Sequence, residues 1–235
     1  MLIDKYFSQN GNTLSFTREQ GSAFAKSLAG DFNPLHDADA KRFCIPGDLL
    51  FAIVLARYGV SQHMEFVFSG MVVDGVELLL PPPADEFALL DAQGRDYLKV
   101  KRSGECSTAE ALIQNLTRSY VEFSGHTFPH ILQPLMEQQQ VMIHPTRPMV
   151  IYQSMTIDLD RLDIAAPMLE SDHNELVVDG KRGAARLGFQ LTDSGEVVGR
   201  GCKRMLLSGL RAYDAQAMAA AVADFNARKA AYPGK

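Results

Sequence analysis

The chain has 235 residues, of which 46% are hydrophobic and 22% charged, and its formal net charge at pH 7 is -5. This composition is typical of a soluble globular protein with a substantial core, in one large domain or two small ones. No apolar run approaches the ~20 residues of a membrane span. The acidic balance argues against nucleic acid as the main partner.

Neither the N-terminus nor the cysteines indicate export or metal binding. Residues Met1 to Tyr6 lack a basic segment followed by an apolar one, so the predicted location is the cytoplasm. Cys44, Cys106 and Cys202 have no Cys-x-x-Cys spacing, which favours reduced thiols. We expect no metal, because five histidines have no Glu or Cys at ligand spacing: His63, His126, His130, His144 and His173. We also expect no cofactor, because Gly199-Arg200-Gly201 lacks the third glycine of a dinucleotide-binding motif.

The first elements are a turn and a helix. Asn10-Gly11 lies between two short strand-like runs and predicts a hairpin or an extended arm. Thr17 and Gln20 have the spacing of a capping box, and Gly30 stands where a left-handed C-cap belongs. The pattern therefore predicts a helix over roughly Arg18 to Ala29.

A buried helix and a strand-rich region follow. The stretch "CIPGDLLFAIVLARYGV" is apolar nearly all round and predicts a helix that starts at Pro46 and ends at Gly59. Strands are predicted next, with a break at Asp74-Gly75 and clean alternation in "DYLKVKRSG". The segment from Ala109 to Phe123 fits a long strand or a capped helix equally well.

The second half repeats the order of helix and strands. The stretch "FPHILQPLMEQQQVMIHP" predicts a helix interrupted by Pro134, and "MVIYQSMTIDLDRL" alternates as a strand. Two further strand runs flank Asp193-Ser194-Gly195, a strong hairpin signal. Asp214 can cap a C-terminal helix with one apolar stripe, best explained as a packing helix. The element order predicts an α+β fold and points to a duplication, although no sequence repeat supports the duplication.

The turn "GDFNPLH", residues 30–36, places an Asp and a His five residues apart. Alone, it is ordinary helix-ending turn chemistry. Together with the helix before it, the run "LSFTREQGSAFAKSLAGDFNPLHDADA" resembles the MaoC-like hydratases, a family of (R)-specific enoyl-CoA hydratases with the hotdog fold. The matching positions are Phe16, Thr17, Phe24, Ala25, Gly30, Asp31, Asn33, Pro34, Leu35, His36 and, shifted by one, Asp37 or Asp39.

The resemblance implies a fold and a site. It implies a double hotdog, with a MaoC-like half over residues 1–127 and a second hotdog-like half over 128–235 that includes the C-terminal helix. Asp31 and His36 would flank a water that is added to, or removed from, the double bond of an acyl thioester. Asn33 and Pro34 would hold the turn beside the substrate, and the backbone N–H of Gly47 would polarise the thioester carbonyl.

The chain departs from the family pattern at the start of the central helix. The family usually has Ala/Val-His-Gly-Met there, and this chain has Ile45-Pro46-Gly47-Asp48, while a family Ser falls near Leu55. We expect Asp48, a candidate substrate contact, to cap the helix and to repel developing negative charge.

Three functional hypotheses follow. The first is a hydratase or dehydratase, a lyase that acts on an acyl-CoA or acyl-carrier-protein thioester in fatty-acid-type metabolism. The second, motivated by Pro46, Asp48 and Leu55, is a non-catalytic acyl-thioester or lipid-binding protein, and the third is a hotdog thioesterase. No nucleic-acid or membrane partner is expected, and the chain would be a monomeric pseudo-dimer or a homodimer.

Two groups of basic residues have two explanations. They are Lys99, Lys101 and Arg102, and Lys181, Arg182, Arg200, Lys203 and Arg204. They could bind the phosphates of the carrier. The plainer explanation is that they are solvent-facing charges on edge strands.

Overall fold

The computed structural model describes residues 2–144 and 149–233. The helices are α1 (Arg18–Ala23, which continues as a π-helical turn over Phe24–Ala29), α2 (Gly47–Tyr58), α3 (Glu110–Gly125), α4 (Thr127–His130), α5 (Leu132–Gln138) and α6 (Ala215–Ala231). The strands are β1 (Ser8–Asn10), β2 (Thr13–Ser15), β3 (Val60–Phe68), β4 (Leu78–Leu79), β5 (Glu86–Leu90), β6 (Asp96–Ser107), β7 (Val141–Met142), β8 (Met149–Leu159), β9 (Met168–Asp179), β10 (Arg182–Asp193), β11 (Glu196–Ser208) and β12 (Arg211–Ala212).

Ten of these strands form one antiparallel sheet in the order β1-β2-β4-β5-β6-β3-β8-β11-β10-β9. The two halves of the chain meet where β3 pairs with β8, in a register that runs from His63 opposite Asp158 to Val67 opposite Ser154. β7 and β12 form a separate two-stranded ribbon. Backbone hydrogen bonds therefore continue across the boundary between the halves.

Helices α2 and α3 pack side by side against this sheet. The ring of Phe51 on α2 lies 5.1 Å from that of Phe66 on β3 and 4.6 Å from that of Tyr120 on α3. Tyr120 in turn lies 5.8 Å from Phe189 on β10. Helix α2 therefore contacts a strand of the first half of the chain, and α3 contacts a strand of the second half. The architecture is the α+β double hotdog that the sequence predicts.

The first helix begins and ends as its sequence indicates. Thr17 accepts a hydrogen bond from the Gln20 backbone, and the Gln20 side chain accepts one from the Thr17 N–H, which completes the capping box. The last six residues widen into a π-helical turn, a feature that often occurs at functional sites. Gly30 then adopts a left-handed conformation with a φ of 66°. The hairpin at Asn10-Gly11 is also confirmed, by the pairing of β1 with β2.

Three segments differ from the sequence analysis or resolve it. The ambiguous segment from Ala109 to Phe123 is helix α3. Pro134 does not interrupt the following helix, because it lies in the first turn of α5, where its missing N–H is not needed; the break falls at Ile131. Strand β9 has no counterpart in the sequence analysis, because its side chains are mostly polar and exposed.

The main hydrophobic core spans both halves. It contains side chains from α2 and α3 together with residues from β3, β6, β8 and β10. A smaller core joins α5 and α6 to β10 and β11. Because the sheet and the main core are continuous, a division of the chain at residue 127 remains a prediction. None of the helices within residues 2–144 and 149–233 is long and apolar enough to cross a membrane.

Candidate functional site

The turn that follows α1 is held by its own side chains. The Asp31 N–H donates to the carbonyl of Ala25 at 2.8 Å, so the turn stays attached to the helix. Asp31 Oδ1 accepts from the Asn33 N–H at 2.8 Å, and Asn33 Oδ1 accepts from the Leu35 N–H at 3.1 Å. Such Asx bonds fix a turn locally. They use one oxygen of Asp31 and leave the other available.

The free oxygen of Asp31 faces His36. Asp31 Oδ2 lies 3.7 Å from His36 Nε2, which is longer than a direct hydrogen bond. His36 Nδ1 donates to the Cys44 carbonyl at 2.8 Å, because a carbonyl can only accept. The backbone bond therefore fixes the ring plane of His36, and Nε2 points towards the carboxylate.

The environment of His36 favours its charged form. Burial opposes the charge, but the Cys44 side chain, the Asp31 carboxylate and the Cys44 carbonyl together raise the pKa of His36 from 6.5 to about 9. The side chain remains 12% exposed, so a ligand in the neighbouring cavity can reach it. At neutral pH His36 is therefore an imidazolium next to a carboxylate.

Gly47 is the first residue of α2 and lies against two aromatic rings. A Cβ atom at this position would come within 3.0 Å of the Phe68 ring and 3.3 Å of the Tyr152 ring. A side chain at this position would require one of the rings to shift by a few tenths of an ångström. The N–H groups in the first turn of a helix have no partner within the helix, and they lie at the positive end of its dipole.

Two cavities meet at this turn. The larger, about 480 Å³, is lined by five of the six predicted site residues: Asp31, Asn33, His36, Gly47 and Asp48. The sixth, Pro34, lines the smaller cavity of about 150 Å³. Asp31, Asn33, Ser124 and Lys203 belong to the walls of both. The structure thus brings all six predicted residues to one pair of adjoining cavities.

Asp48 does not cap α2, so that expectation is wrong. Its Oδ2 instead accepts a hydrogen bond of 2.5 Å from the Ser124 hydroxyl, near the end of α3. Ser124 Oγ accepts in turn from Lys203 Nζ on β11, also at 2.5 Å. The three residues are 8%, 5% and 4% exposed, respectively. The result is a buried chain of hydrogen bonds, which we call the Asp48–Ser124–Lys203 cluster.

Burial weakens the charges within this cluster. Burial raises the pKa of Asp48, against the opposing effects of Lys203 and Ser124. Burial likewise lowers the pKa of Lys203, although Asp48 and Asp31 oppose that change. Lys203 Nζ also lies 4.3 Å from the centre of the Tyr152 ring, and the Tyr152 and Tyr120 hydroxyls bond to each other. The pKa values of both tyrosines are raised well above 10, chiefly by burial.

Sequence reasoning missed Ser124 and Lys203 as parts of the site. Lys203 belongs to a basic group that the sequence explains either as phosphate-binding or as solvent-facing, but it is buried. A usable signal lies in the strand period, because Lys203, Met205 and Leu207 alternate along β11 on one face, and the two apolar members point to the core. Ser124 lies in a helix without a comparable local signal.

The C-terminal helix fastens the loop that carries His36. Arg228 on α6 forms an ion pair with Asp37 at 2.5 Å and donates to the carbonyl of Phe32 at 3.0 Å. Lys26 approaches the same Asp37 carboxylate at 2.9 Å. Asp37 therefore has a structural role at the back of the turn. Helix α6 contributes more than apolar packing, since its Met218, Phe225 and Arg228 also line the smaller cavity.

These features define a class: a double hotdog protein whose adjoining cavities contain an Asp–His pair and a buried Asp–Ser–Lys cluster. Within that class, the chain belongs to the family described as "Protein of unknown function (DUF3581)", which matches residues 1–216. No curated protein matches the chain. The more specific resemblance to MaoC-like hydratases remains a prediction.

Several solved structures are similar in fold. An acyl-CoA thioesterase II, TesB2, from Mycobacterium marinum is 10% identical, with 92% of this chain and 99% of that one covered at a TM-score of 0.40. A conserved hot dog fold protein of unknown function from Alicyclobacillus acidocaldarius is 8% identical, with coverage of 88% and 98% and a TM-score of 0.45. A bifunctional dehydratase-cyclase domain in ambruticin biosynthesis is 15% identical, with coverage of 92% and 98% and a TM-score of 0.37.

Proposed function

We propose that this protein is a hydro-lyase that adds water to, or removes it from, the α,β-double bond of an acyl thioester. The observation that carries the proposal is the approach of Asp31 Oδ2 to 3.7 Å from His36 Nε2 on the wall of the larger cavity. Acid–base catalysis of hydration needs two such groups within reach of one water. Because neither group is consumed by a bond to the other, both are available to a ligand.

The protonation states divide the work between the two residues. In the hydration direction, the Asp31 carboxylate takes a proton from water as the water oxygen bonds to the β-carbon. His36, an imidazolium because of its raised pKa, delivers its proton to the α-carbon. The product is a 3-hydroxyacyl thioester, and dehydration is the reverse. A proton passed from Asp31 back to His36 resets the pair.

The thioester carbonyl gains negative charge during this reaction, because the electrons of the double bond move towards its oxygen. Gly47 supplies a backbone N–H from the first turn of α2, on the same cavity wall as Asp31 and His36. A donor of this kind stabilises an enolate more than a ground-state carbonyl. The rings of Phe68 and Tyr152 line the same cavity beside Gly47.

The two cavities suit the two ends of an acyl thioester. The smaller has mostly apolar walls, which include Phe32, Phe128 and Leu132, and a cavity of about 150 Å³ is large enough to hold benzene. We therefore expect a short acyl chain there. The larger cavity also has Arg42 and Arg95 on its wall, and guanidinium groups bind phosphates. They would contact the carrier, either coenzyme A or the phosphopantetheine of a carrier protein.

The test is a hydration assay with crotonyl-CoA and longer enoyl-CoAs. The loss of the enoyl-thioester absorbance measures the rate. Asp31→Asn and His36→Gln should each lower kcat/KM by about 10²–10⁴-fold. A matched control is His63→Gln, because His63 forms the same kind of His–Asp pair with Asp158, at 2.9 Å but exposed and away from the cavities. This variant should keep full turnover.

Three other outcomes would count against the proposal. Binding of acyl-CoA with no turnover at any chain length would indicate a binding protein. Release of free thiol from saturated acyl-CoAs would indicate a thioesterase. Equal losses in the His63 variant and the His36 variant would mean that the Asp31–His36 pair has no special role.

A further inference from the structure

The two oxygens of the Asp48 carboxyl group have different environments. Oδ2 accepts from the Ser124 hydroxyl at 2.5 Å. Oδ1 is buried and has no hydrogen-bond partner among the residues that the structure describes. A buried carboxylate oxygen without a hydrogen bond costs free energy, because its charge has lost the hydrating water and no donor replaces it. The carboxyl group therefore needs either a proton or a ligand at Oδ1.

The charges around Asp48 come from every element packed against it. Burial, the largest effect, and Asp31 oppose the carboxylate form and so raise the pKa of Asp48, whereas Lys203 on β11 and His36 in the turn favour the carboxylate. The hydroxyls of Tyr120 on α3 and Tyr152 on β8 are also close enough for their ionisation to be opposed by Asp48. Lys203, the nearest cation, is itself pushed towards its neutral form by burial. The balance raises the pKa of Asp48, and a proton on the carboxyl group belongs on Oδ1, since Oδ2 is already an acceptor.

The position of Asp48 gives this proton a use. Asp48 follows Gly47 in the first turn of α2, and both residues line the larger cavity with Asp31 and His36. A group at the Gly47 N–H is therefore next to the Asp48 carboxyl group.

We propose that Asp48 is a further catalytic residue, which in its neutral carboxylic acid form donates a hydrogen bond from Oδ1 to the thioester carbonyl oxygen, beside the Gly47 N–H. This inference rests on the proposed function, because it assigns a residue to the same reaction. Asp48 keeps its proton throughout, and no bond is made or broken at this residue. Ser124 and Lys203 are positioning residues: they hold Oδ2 as an acceptor and so leave Oδ1 as the oxygen that can donate.

A pair of substitutions separates this role from the alternatives. Asp48→Asn keeps the hydrogen-bonding pattern of a neutral acid, because the amide oxygen accepts from Ser124 and the amide N–H donates to the ligand. We expect it to retain turnover within about tenfold. Asp48→Ala removes the donor and should lower kcat by about 10²–10³-fold, the usual cost of one oxyanion donor. Equal inactivity of both variants would mean that the carboxylate is required, and equal activity would mean that Asp48 is not catalytic; either result overturns the inference.

A second measurement does not depend on turnover. The probe is butyryl-CoA labelled with ¹³C at the thioester carbonyl, bound to the full-length protein and observed by NMR. Polarisation by Asp48 should move the carbonyl resonance downfield on binding in the wild type and in Asp48→Asn, and less in Asp48→Ala. No movement in the wild type, or the same movement in all three, overturns the inference.

These experiments also distinguish the inference from the proposed function. If wild-type protein does not hydrate enoyl-CoAs, or if Asp31→Asn and His36→Gln remain active, the proposed function fails, whatever the carbonyl resonance does. If those two variants lose turnover while Asp48→Ala keeps it, only the role of Asp48 fails. Far-UV circular dichroism and urea unfolding of each variant identify losses that come from misfolding.

Discussion

The Asp31–His36 pair and the Asp48–Ser124–Lys203 cluster lie on the same cavity wall but satisfy their polar atoms in opposite ways. Asp31 and His36 bond to nearby backbone groups and leave their facing atoms 3.7 Å apart. The cluster is almost fully buried and is joined directly, side chain to side chain. The pair therefore leaves two facing atoms without a direct bond to each other, and the cluster leaves one buried atom, Asp48 Oδ1, without a hydrogen-bond partner among the described residues.

The difference shows how one site can contain groups that exchange protons and groups whose geometry is fixed. Partly exposed groups can change protonation state and exchange protons with water, as acid–base catalysis requires. Buried, mutually bonded groups keep a fixed geometry, as stabilisation of a developing charge requires. The comparison can be tested by substitutions that separate the two regions or change one of them alone.

The largest expected effect comes from a substitution at Gly125, where α3 packs tightly against the backbone of Ala29. Gly125 follows Ser124 on α3, and a Cβ at this position would lie 1.9 Å from the carbonyl oxygen of Ala29, just before the turn that carries Asp31 and His36. Gly125→Ala should force the two segments apart and lower the free energy of unfolding by about 3 kcal/mol. Urea unfolding measures the change. Arg118→Ala, an exposed position on the same helix, is the control and should change it by less than ~0.5 kcal/mol; equal values for both variants would contradict the prediction.

The folded protein should become less stable at alkaline pH, because His36 then loses its stabilising proton. Its pKa is raised from 6.5 to about 9 on folding, so the folded state binds this proton more tightly. The resulting stabilisation is fully present below about pH 6.5 and is lost as the pH rises through about 9, with a total on the order of 3 kcal/mol. In His36→Gln, the free energy of unfolding should fall less between about pH 6 and pH 10 than in the wild type. Parallel curves for the two proteins would show that His36 is not held as an imidazolium.

A smaller effect is expected at Asn33, which fixes the turn but carries no charge. Asn33→Ala removes the acceptor of the Leu35 N–H and should cost about 1 kcal/mol of unfolding free energy. Asn33→Asp keeps a side-chain oxygen at the same position and should stay close to the wild type. Thermal unfolding of the two variants at the same pH measures the difference, and a loss as large in Asn33→Asp would rule out this hydrogen bond as the cause.

The smallest effect is expected at the exposed His63–Asp158 pair. Its atoms are closer than those of Asp31 and His36, at 2.9 Å, but the side chains are 58% and 63% exposed. Solvent screens such a pair, so Asp158→Asn should change the free energy of unfolding by less than ~0.5 kcal/mol. A larger loss by urea unfolding would show that distance matters more than burial in this protein.

The parts of the fold that the sequence predicts correctly depend on neighbouring residues. The capping box at Thr17, the left-handed Gly30 and the apolar helix after Pro46 are local patterns, and the structure confirms each. Strand β9 escapes sequence reasoning because an edge strand with mostly exposed side chains has little hydrophobic alternation to detect. Its one clear signal is Gly180 in the turn to β10, with a φ of 54°.

The candidate site divides in the same way. Asp31 and His36 are five residues apart, so a motif can identify them together. Ser124 and Lys203 lie 76 and 79 residues from their partners in the cluster, and only the packing of α3 and β11 against the start of α2 brings them there. An acidic residue in the first turn of a helix is a common capping pattern, so the sequence predicts Asp48 as a cap, whereas its actual partner comes from another helix.

The pairing of β3 with β8 has a consequence for biosynthesis. A ribosome completes β3 at Phe68 and reaches β8 only at Met149, roughly eighty residues later. At ~5–20 residues per second, this interval lasts several seconds. During it, β3 has no partner on the side that β8 will occupy, and its unpaired backbone groups can bind another nascent chain. Chaperone protection during synthesis should therefore matter most between the two halves of the chain.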